Sequence, residues 1–378
     1  MTYTRRWAWA EVDLEAIAHN VRLLRDAVAP SAVWAVVKAD AYGHGAVAVA
    51  RAALEAGAEG LCVALVAEGV ELRQAGVDAP ILVLSEQPHE AAAAIVEYRL
   101  TPTVYTRRYV DALVAAKPDR LPVHLKIDTG MQRVGAHPHT VAALVASIEE
   151  RAPAVELVGV FTHLAVADEP DDPFTATQLA RFDDALTHVP IGLAVHAANS
   201  AGALAHPAAR RSLVRAGIAV YGISPGPGVD DLAADLRPAM SLKARISYVK
   251  QARSGSRISY GRRYQFARDS TVATVPLGYA DGVPRRLSST TTRPGGHVLI
   301  RGQRCPIVGT ITMDQFMVDC GDLEVRAGEE VVLIGEQEGP GGVERIIATE
   351  WADHLGTIGY EIVCGISARV PRVYTGRP

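Results

Sequence analysis

Cysteine is scarce and unpaired in this sequence. Four thiols, Cys62, Cys305, Cys320 and Cys364, are scattered over 378 residues with no CxxC spacing among them. That pattern excludes a disulfide scaffold and reads as free thiols in the cytoplasm, each a buried small hydrophobe. No apolar run reaches the length of about 20 residues that a membrane-spanning helix needs. The opening MTYTRRWAWAEVD turns acidic before the apolar stretch of a signal peptide can form. Neither sign of charge dominates: 38 Lys and Arg face 42 Asp and Glu, for a net charge of -4. There is no basic excess to hold a nucleic-acid backbone and no basic amphipathic face for a lipid surface. His137 and His139 flank Pro138, but no third ligand has suitable spacing, so no metal site is expected.

What is present is an ordinary globular composition, 49% hydrophobic and 21% charged. Chains beyond roughly 250–300 residues divide into domains, and two are expected here. Eight β-rich runs follow one another: 34–40, 61–65, 81–85, 101–105, 123–128, 157–163, 194–200 and 213–222. Between them lie segments such as VAVARAALEAG and TVAALVASIEE, rich in strong helix formers with apolar residues at helical spacing. Strands alternating with helices imply an α/β chain with a parallel sheet, and eight units suggest a (β/α)8 TIM-type barrel. An open doubly wound sheet is the structural alternative.

SPGPG at 224–228 then breaks the pattern. From Met240 onward, alternating strand-like runs are punctuated by Gly and Pro, which signals a smaller, mainly antiparallel β domain with one helical segment, IIATEWADHLG. The expected division is 1–235 for the barrel and 236–378 for the β domain. A first strand, Trp7 to Val12, precedes a helix capped by Asp13 and can belong to either.

In a barrel, functional residues gather at the C-terminal ends of the strands. Those ends carry Lys38, then Asp40 and Tyr42; Lys126 and Asp128, with Met131 and Arg133 beyond; His163; Asn199 and Ser200; and Arg215 with Gly217 and Ile218. Lys38 follows an apolar run. Burial there would disfavour its charged form and free the amine for Schiff-base chemistry; otherwise its amine snorkels to water. Loops after the seventh and eighth strands often hold phosphate, and Ser200, Gly217 and Ile218 fall there. A lysine and a phosphate site in one barrel mouth are what pyridoxal phosphate (PLP) requires.

AVVKADAYGHG (35–45) resembles the PLP-lysine signature of the alanine racemase family. The resemblance continues in KIDTGMQRVG, FTHLAVADE, HAANSAG, RAGIAVYG, SYGRRY, PLGYADG, GTITMDQFMVD and GTIGYEI, in family order along the whole chain. It implies a PLP barrel followed by a β domain, and a head-to-tail homodimer in which each active site borrows from the partner's β domain. The implied activity is interconversion of L- and D-alanine, supplying D-alanine for cell-wall peptidoglycan. Lys38 and Tyr260 would be the two catalytic bases, Tyr260 coming from the partner chain. Arg215 would meet the pyridine nitrogen, with His163 near the ring and Asn199 also at the cofactor. Tyr42, Ser200, Gly217, Ile218 and Tyr360 would hold the phosphate. Arg133 and Met313 would meet the substrate carboxylate, and Tyr279 would line the entrance. Lys126 matches a lysine often carbamylated in the family. Gln132 departs from the pattern, standing where Gly is commoner, and Arg262 and Arg263 replace smaller or uncharged residues.

The chemistry suits these residue types. A racemase exchanges protons on both faces of Cα, so two acid/base groups must oppose each other. Lysine and tyrosine have reference pKa values of roughly 10.4 and 10, and both need lowering to work near neutrality. Arginine stays protonated, so Arg215 would leave the pyridine nitrogen without a proton, weaken the electron sink and favour simple reprotonation over transamination or decarboxylation.

Other readings exist. Gly43, Gly45 and Ala48 with Glu68 fit a dinucleotide fingerprint, which would make a dehydrogenase. A PLP barrel decarboxylase would prefer a carboxylate opposite the pyridine nitrogen. A non-catalytic PLP carrier protein would lack the β domain and its tyrosine. A racemase of another small amino acid, such as serine, is the alternative within the same reaction.

Overall fold

A computed structural model describes residues 6–377. Residues 1–5 and 378, which the division expected from the sequence includes, lie outside the described residues. The chain forms two compact units: Leu14–Arg237, and the residues up to Asp13 together with Pro238–Gly376.

The first unit is a ring of eight strands: β1 (Ala32–Val36), β2 (Gly60–Val63), β3 (Ile81–Val83), β4 (Thr101–Val104), β5 (Leu121–Lys126), β6 (Val155–Phe161), β7 (Ala194–His196) and β8 (Leu213–Ala216). Each strand from β1 to β6 pairs in parallel with its successor, and β8 pairs in parallel with β1. Among the described residues no ladder joins β7 to β8. Hydrogen bonds stitch that seam instead, among them Ser212 N–H to the Val195 carbonyl at 2.9 Å, Val195 N–H to Ser212 Oγ at 3.0 Å and Arg215 N–H to the Ala198 carbonyl at 3.0 Å. Leu61, Cys62, Val63, Ile81, Leu82 and Val83 are all buried, as expected of strands covered on both faces. The helices are α1 (Leu14–Val28), α2 (Ala46–Glu55), α3 (Val66–Gln74), α4 (Ala92–Glu97), α5 (Arg107–Ala115), α6 (Val141–Glu149), α7 (Phe174–Leu186) and α8 (Ser200–Ala205). Helix α1 presents Ile17, Val21, Leu24 and Val28 as its buried stripe. Among the described residues no helix is long and apolar enough to cross a membrane.

The second unit is built on a ten-stranded sheet. Met240–Arg245 lies antiparallel between Ala8–Asp13 and Glu330–Gly339. The sheet is mixed, because Ala8–Asp13 also pairs in parallel with Arg372–Thr375. Besides helix Ala348–Leu355, a second helix, Gly359–Cys364, follows it, which the sequence pattern does not separate. The expectation that all four thiols are buried needs one correction. Cys62, Cys305 and Cys320 are buried, but Cys364, at the last position of that second helix, is exposed.

Candidate active site

The chain leaves β1 by an unusual route. Directly after Lys38, the residues Ala39, Asp40, Ala41 and Tyr42 all have φ between 52° and 53° and ψ between 38° and 53°, a full left-handed turn without glycine. Left-handed geometry costs about 1–2 kcal/mol for each L-residue, so the turn needs external support. Asp40 Oδ1 accepts from Ala46 N–H at 2.7 Å, at the start of α2. Glu68 Oε1 accepts from Ala39 N–H at 2.7 Å, while its Oε2 accepts from Ala64 at 2.8 Å and Leu65 at 3.0 Å. Both oxygens of Glu68 are therefore taken by main chain. The glycines of the apparent dinucleotide fingerprint belong to the exit of this turn, Gly43 at φ 79° and Gly45 at φ 98°. Lys38 is half-buried rather than sunk in the apolar strand.

At the far end of the turn, Tyr42 is buried against Tyr221, with ring centroids 4.8 Å apart. Tyr221 is fixed by its own hydroxyl, which donates to the Val36 carbonyl at 2.8 Å. Tyr42 Oη converges with Ser200 and Gly217. Ser200 Oγ accepts from Gly217 N–H at 2.8 Å and Ala219 N–H at 3.3 Å. A Cβ at Gly217 would lie 2.7 Å from Tyr42 Oη and 3.9 Å from Ser200 Oγ. This small cradle of hydroxyls and approachable main chain, which a side chain at 217 would fill, fits a phosphate group. Ile218 opens the short turn Ile218–Tyr221 beside it. Asn199 acts locally, its Oδ1 accepting from Gly202 N–H at 2.9 Å to cap α8.

Arg215 is the buried centre of charge. Its Nη1 donates to His196 Nδ1 at 2.8 Å, and its Nη2 reaches the carbonyls of Thr162 at 2.8 Å and Ala197 at 3.0 Å and His163 Nδ1 at 3.3 Å. Its plane lies over the Phe161 ring, 5.0 Å from the centroid. Burial pushes Arg215 down to about 10, which still leaves it charged at neutral pH. Burial first, and the Arg215 charge second, push His124 down to about 4 and hold His196 and His163 well below the usual histidine range. The His163 main chain is pinned by Gln178, which donates to its carbonyl at 3.0 Å and accepts from Ala165 N–H at 2.8 Å.

Lys126 is buried at the end of β5. Burial, followed by the charges of Arg215 and Arg133, pushes its amine down to about 8, with Asp128 opposing. Arg133 is exposed in the next loop. There Asp128 Oδ1 accepts from Gly130 N–H at 2.9 Å and Gln132 N–H at 3.0 Å. Gln132 sits at φ 54°, a backbone state in which glycine would carry no Cβ penalty.

Four further candidates belong to the β unit. Tyr260 is 73% exposed on a turn between two paired segments, Arg257–Ile258 and Tyr264–Gln265. That turn is strained, with Ser259 at φ 64° and Arg262 at φ 49°. Thr310 pins it: its carbonyl accepts from Ser259 Oγ at 2.7 Å and its hydroxyl donates to the Tyr260 carbonyl at 3.1 Å. Tyr279 and Met313 are both exposed, and their loops are laced together by Tyr279 N–H to the Thr312 carbonyl and Ala280 N–H to the Met313 carbonyl, both 3.1 Å. Gly278 permits that approach, since a Cβ there would come within 2.3 Å of Met313 main chain. Buried Asp281 anchors the loop through Gly278 N–H at 3.0 Å and an ion pair with Arg6 at 2.7 Å. Tyr360 stands half-buried in the first turn of Gly359–Cys364.

Sequence reasoning misses the supporting residues. Glu68 reads there only as a fingerprint acid; His196 heads the HAANSAG block, and its place at a strand end is the available signal. His124 and Thr310 carry none.

Comparison with known proteins shows the family. Residues 12–225 match the family model "Alanine racemase, N-terminal domain" and residues 239–374 match "Alanine racemase, C-terminal domain". The chain is 50% identical to an alanine racemase of Symbiobacterium thermophilum and 45% identical to one of Thermobifida fusca, covering 98% of both chains in each case. Among solved structures, alanine racemase from E. faecalis superposes with a TM-score of 0.90 at 37% identity, covering 98% of each chain. That from Bacillus anthracis with bound L-Ala-P gives 0.90 at 40%, covering 99% of this chain and 96% of the other. The chain belongs to the alanine racemase family of PLP-dependent racemases.

Proposed function

We infer that this chain interconverts L- and D-alanine with PLP and so supplies D-alanine for cell-wall peptidoglycan. The observation that carries the reading is one barrel mouth holding three things: Lys38, the Tyr42–Ser200–Gly217 cradle, and a buried Arg215 that stays charged. Bound PLP supplies the electron sink that makes a Cα proton removable.

Each residue then has its part. Lys38 holds the cofactor covalently and moves the proton on one face of Cα. Tyr260, from the partner of a homodimer, moves it on the other face; its exposure on a pinned turn is what a residue serving a second chain needs. Tyr42, Ser200, Gly217, Ile218 and Tyr360 orient the phosphate, and Asn199 shapes that loop. Arg215 presents donors to the pyridine nitrogen and keeps a proton off it. His163, kept neutral by burial and neighbouring cations, would stand near the cofactor ring. Arg133 and Met313 take the substrate carboxylate, and Tyr279 lines the entrance. Lys126, buried among cations with a depressed pKa, is suited to form a carbamate whose negative charge would steady Arg133. A cytoplasmic setting fits four cysteines that form no disulfide among the described residues.

The test is proton NMR of L-alanine with the purified chain and PLP in deuterated water, with chiral analysis. Cα deuteration with D-alanine approaching half the pool is expected. Deuteration without inversion would mean that a single base operates. No exchange with alanine but exchange with serine would move the substrate, not the reaction.

A further inference from the structure

Glu68 lies in the first turn of α3, outside the roles assigned above, yet its carboxylate joins two neighbouring strand-end loops. One oxygen accepts from Ala39, the residue directly after Lys38, and the other accepts from Ala64 and Leu65 beyond β2. Three N–H donors on two oxygens make a charge-assisted clasp. The loop it grips is the left-handed turn Ala39–Tyr42, which L-residues do not hold unaided. Lys38 stands at the start of that turn, and Tyr42, part of the phosphate cradle, closes it. The turn therefore sets where the lysine amine lies relative to the cradle.

We propose that Glu68 is a positioning residue for Lys38, clamping the left-handed turn so that covalent anchor and phosphate cradle are held at a fixed separation. The proposal rests on Lys38 being the cofactor-bearing lysine. A neutral side chain cannot do the same work. Glutamine offers one acceptor oxygen, and its NH2 would face a main-chain N–H, so it can satisfy the Lys38 side or the α3 side but not both.

The experiment pairs Glu68→Gln with the double variant Glu68→Gln/Ala39→Gly. Ala39 is exposed, so glycine opens no cavity there, and glycine enters left-handed geometry without the Cβ penalty. Three readouts are taken: PLP affinity of the apoprotein, amide exchange of the peptide spanning 38–45 in the apoprotein, and thermal unfolding. Glu68→Gln is expected to weaken PLP binding roughly tenfold or more and to speed amide exchange in that peptide. The added glycine is expected to restore part of the affinity, because it relieves the strain at Ala39, the one of the four left-handed residues that the clasp grips directly. Unchanged affinity and exchange in Glu68→Gln would overturn the proposal. So would lost affinity that the glycine leaves uncorrected, since Glu68 would then serve only the start of α3. If the single variant does not fold, a double variant that folds and binds PLP supports the clasp, and one that does not fold overturns it. Borohydride reduction and peptide mapping of the parent keep the underlying reading separate. Label on a lysine other than Lys38 sinks that reading and this inference with it; label on Lys38 leaves Glu68 to be judged by its own variants.

Discussion

Nη1 of Arg215 lies 2.8 Å from Nδ1 of His196, and because an arginine N–H can only donate, Nδ1 of His196 must accept. The proton of neutral His196 therefore sits on Nε2, which lies 2.9 Å from Nδ1 of His124, and His124 in turn carries its proton on Nε2. One arginine thus fixes the tautomers of two buried histidines. Replacing His196 by leucine leaves a charged donor buried without its acceptor, at a cost of about 1–3 kcal/mol. Urea unfolding should show that loss, while His196→Asn, which offers a carbonyl oxygen, should recover part of it.

The same pair makes the fold acid-sensitive. His124 has a folded pKa pushed down to about 4, below the ordinary value of 6.5. Between those values the unfolded chain binds a proton that the folded chain does not, so stability falls as pH drops from 6.5 toward 4. The urea midpoint should decline over that window. In His124→Gln the decline should be shallower; an identical slope would mean that other groups control it.

Lys38→Ala should abolish the borohydride-reducible absorbance of the PLP-loaded protein. A yellow, reducible Lys38→Ala protein would contradict the assignment of Lys38. Tyr260→Phe should spare cofactor binding and cut turnover by roughly 10²–10⁴-fold, the usual contribution of a positioned acid/base group. Intact rates in both directions would remove Tyr260 as the second base.

Gly217→Ala should weaken PLP binding without unfolding the barrel, because the new methyl would press within 2.7 Å of Tyr42 Oη. Titrating the apoprotein with PLP checks this, and circular dichroism reports the fold. Undiminished affinity would place the phosphate elsewhere.

The Lys126 amine, pushed down to about 8, becomes neutral and nucleophilic toward carbon dioxide at mildly alkaline pH. With ¹³C-bicarbonate, a carbamate signal should grow as pH rises through about 8 and be missing in Lys126→Arg, whose side chain stays protonated. The sign on stability is separate. Between about 8 and the ordinary 10.5 the unfolded lysine holds a proton that the folded one lacks, so this residue adds stability as pH rises across that window.

The strand ends were legible in the sequence because apolar runs such as VWAVV alternate with alanine-rich helices, and barrels put function where those runs stop. The conformation after Lys38 was not. Ala39, Asp40, Ala41 and Tyr42 include no glycine, and nothing in their side chains announces a left-handed turn. Part of its support comes from Glu68, 29 residues away from Ala39, which only the folded chain brings near. Gln132 hid a second left-handed position behind a side chain. Helix Gly359–Cys364 was obscured by its composition, since GYEIVC begins with glycine and is rich in residues that favour strands. Its neighbour, ATEWADHL, carries the amphipathic spacing that makes a helix readable.

The unladdered seam between β7 and β8 gives the barrel a beginning and an end. The ladder that turns the sheet into a ring joins residues 32–35 to 213–216, the widest sequence span of any pairing in the barrel. Closing so long a loop carries the largest chain-entropy cost of any single pairing around the ring, and β8 is the strand that makes it. It is also the stave that carries Arg215. The strand that closes the ring is thus the strand that brings the buried cation, whose Nη2 reaches the Thr162 and Ala197 carbonyls.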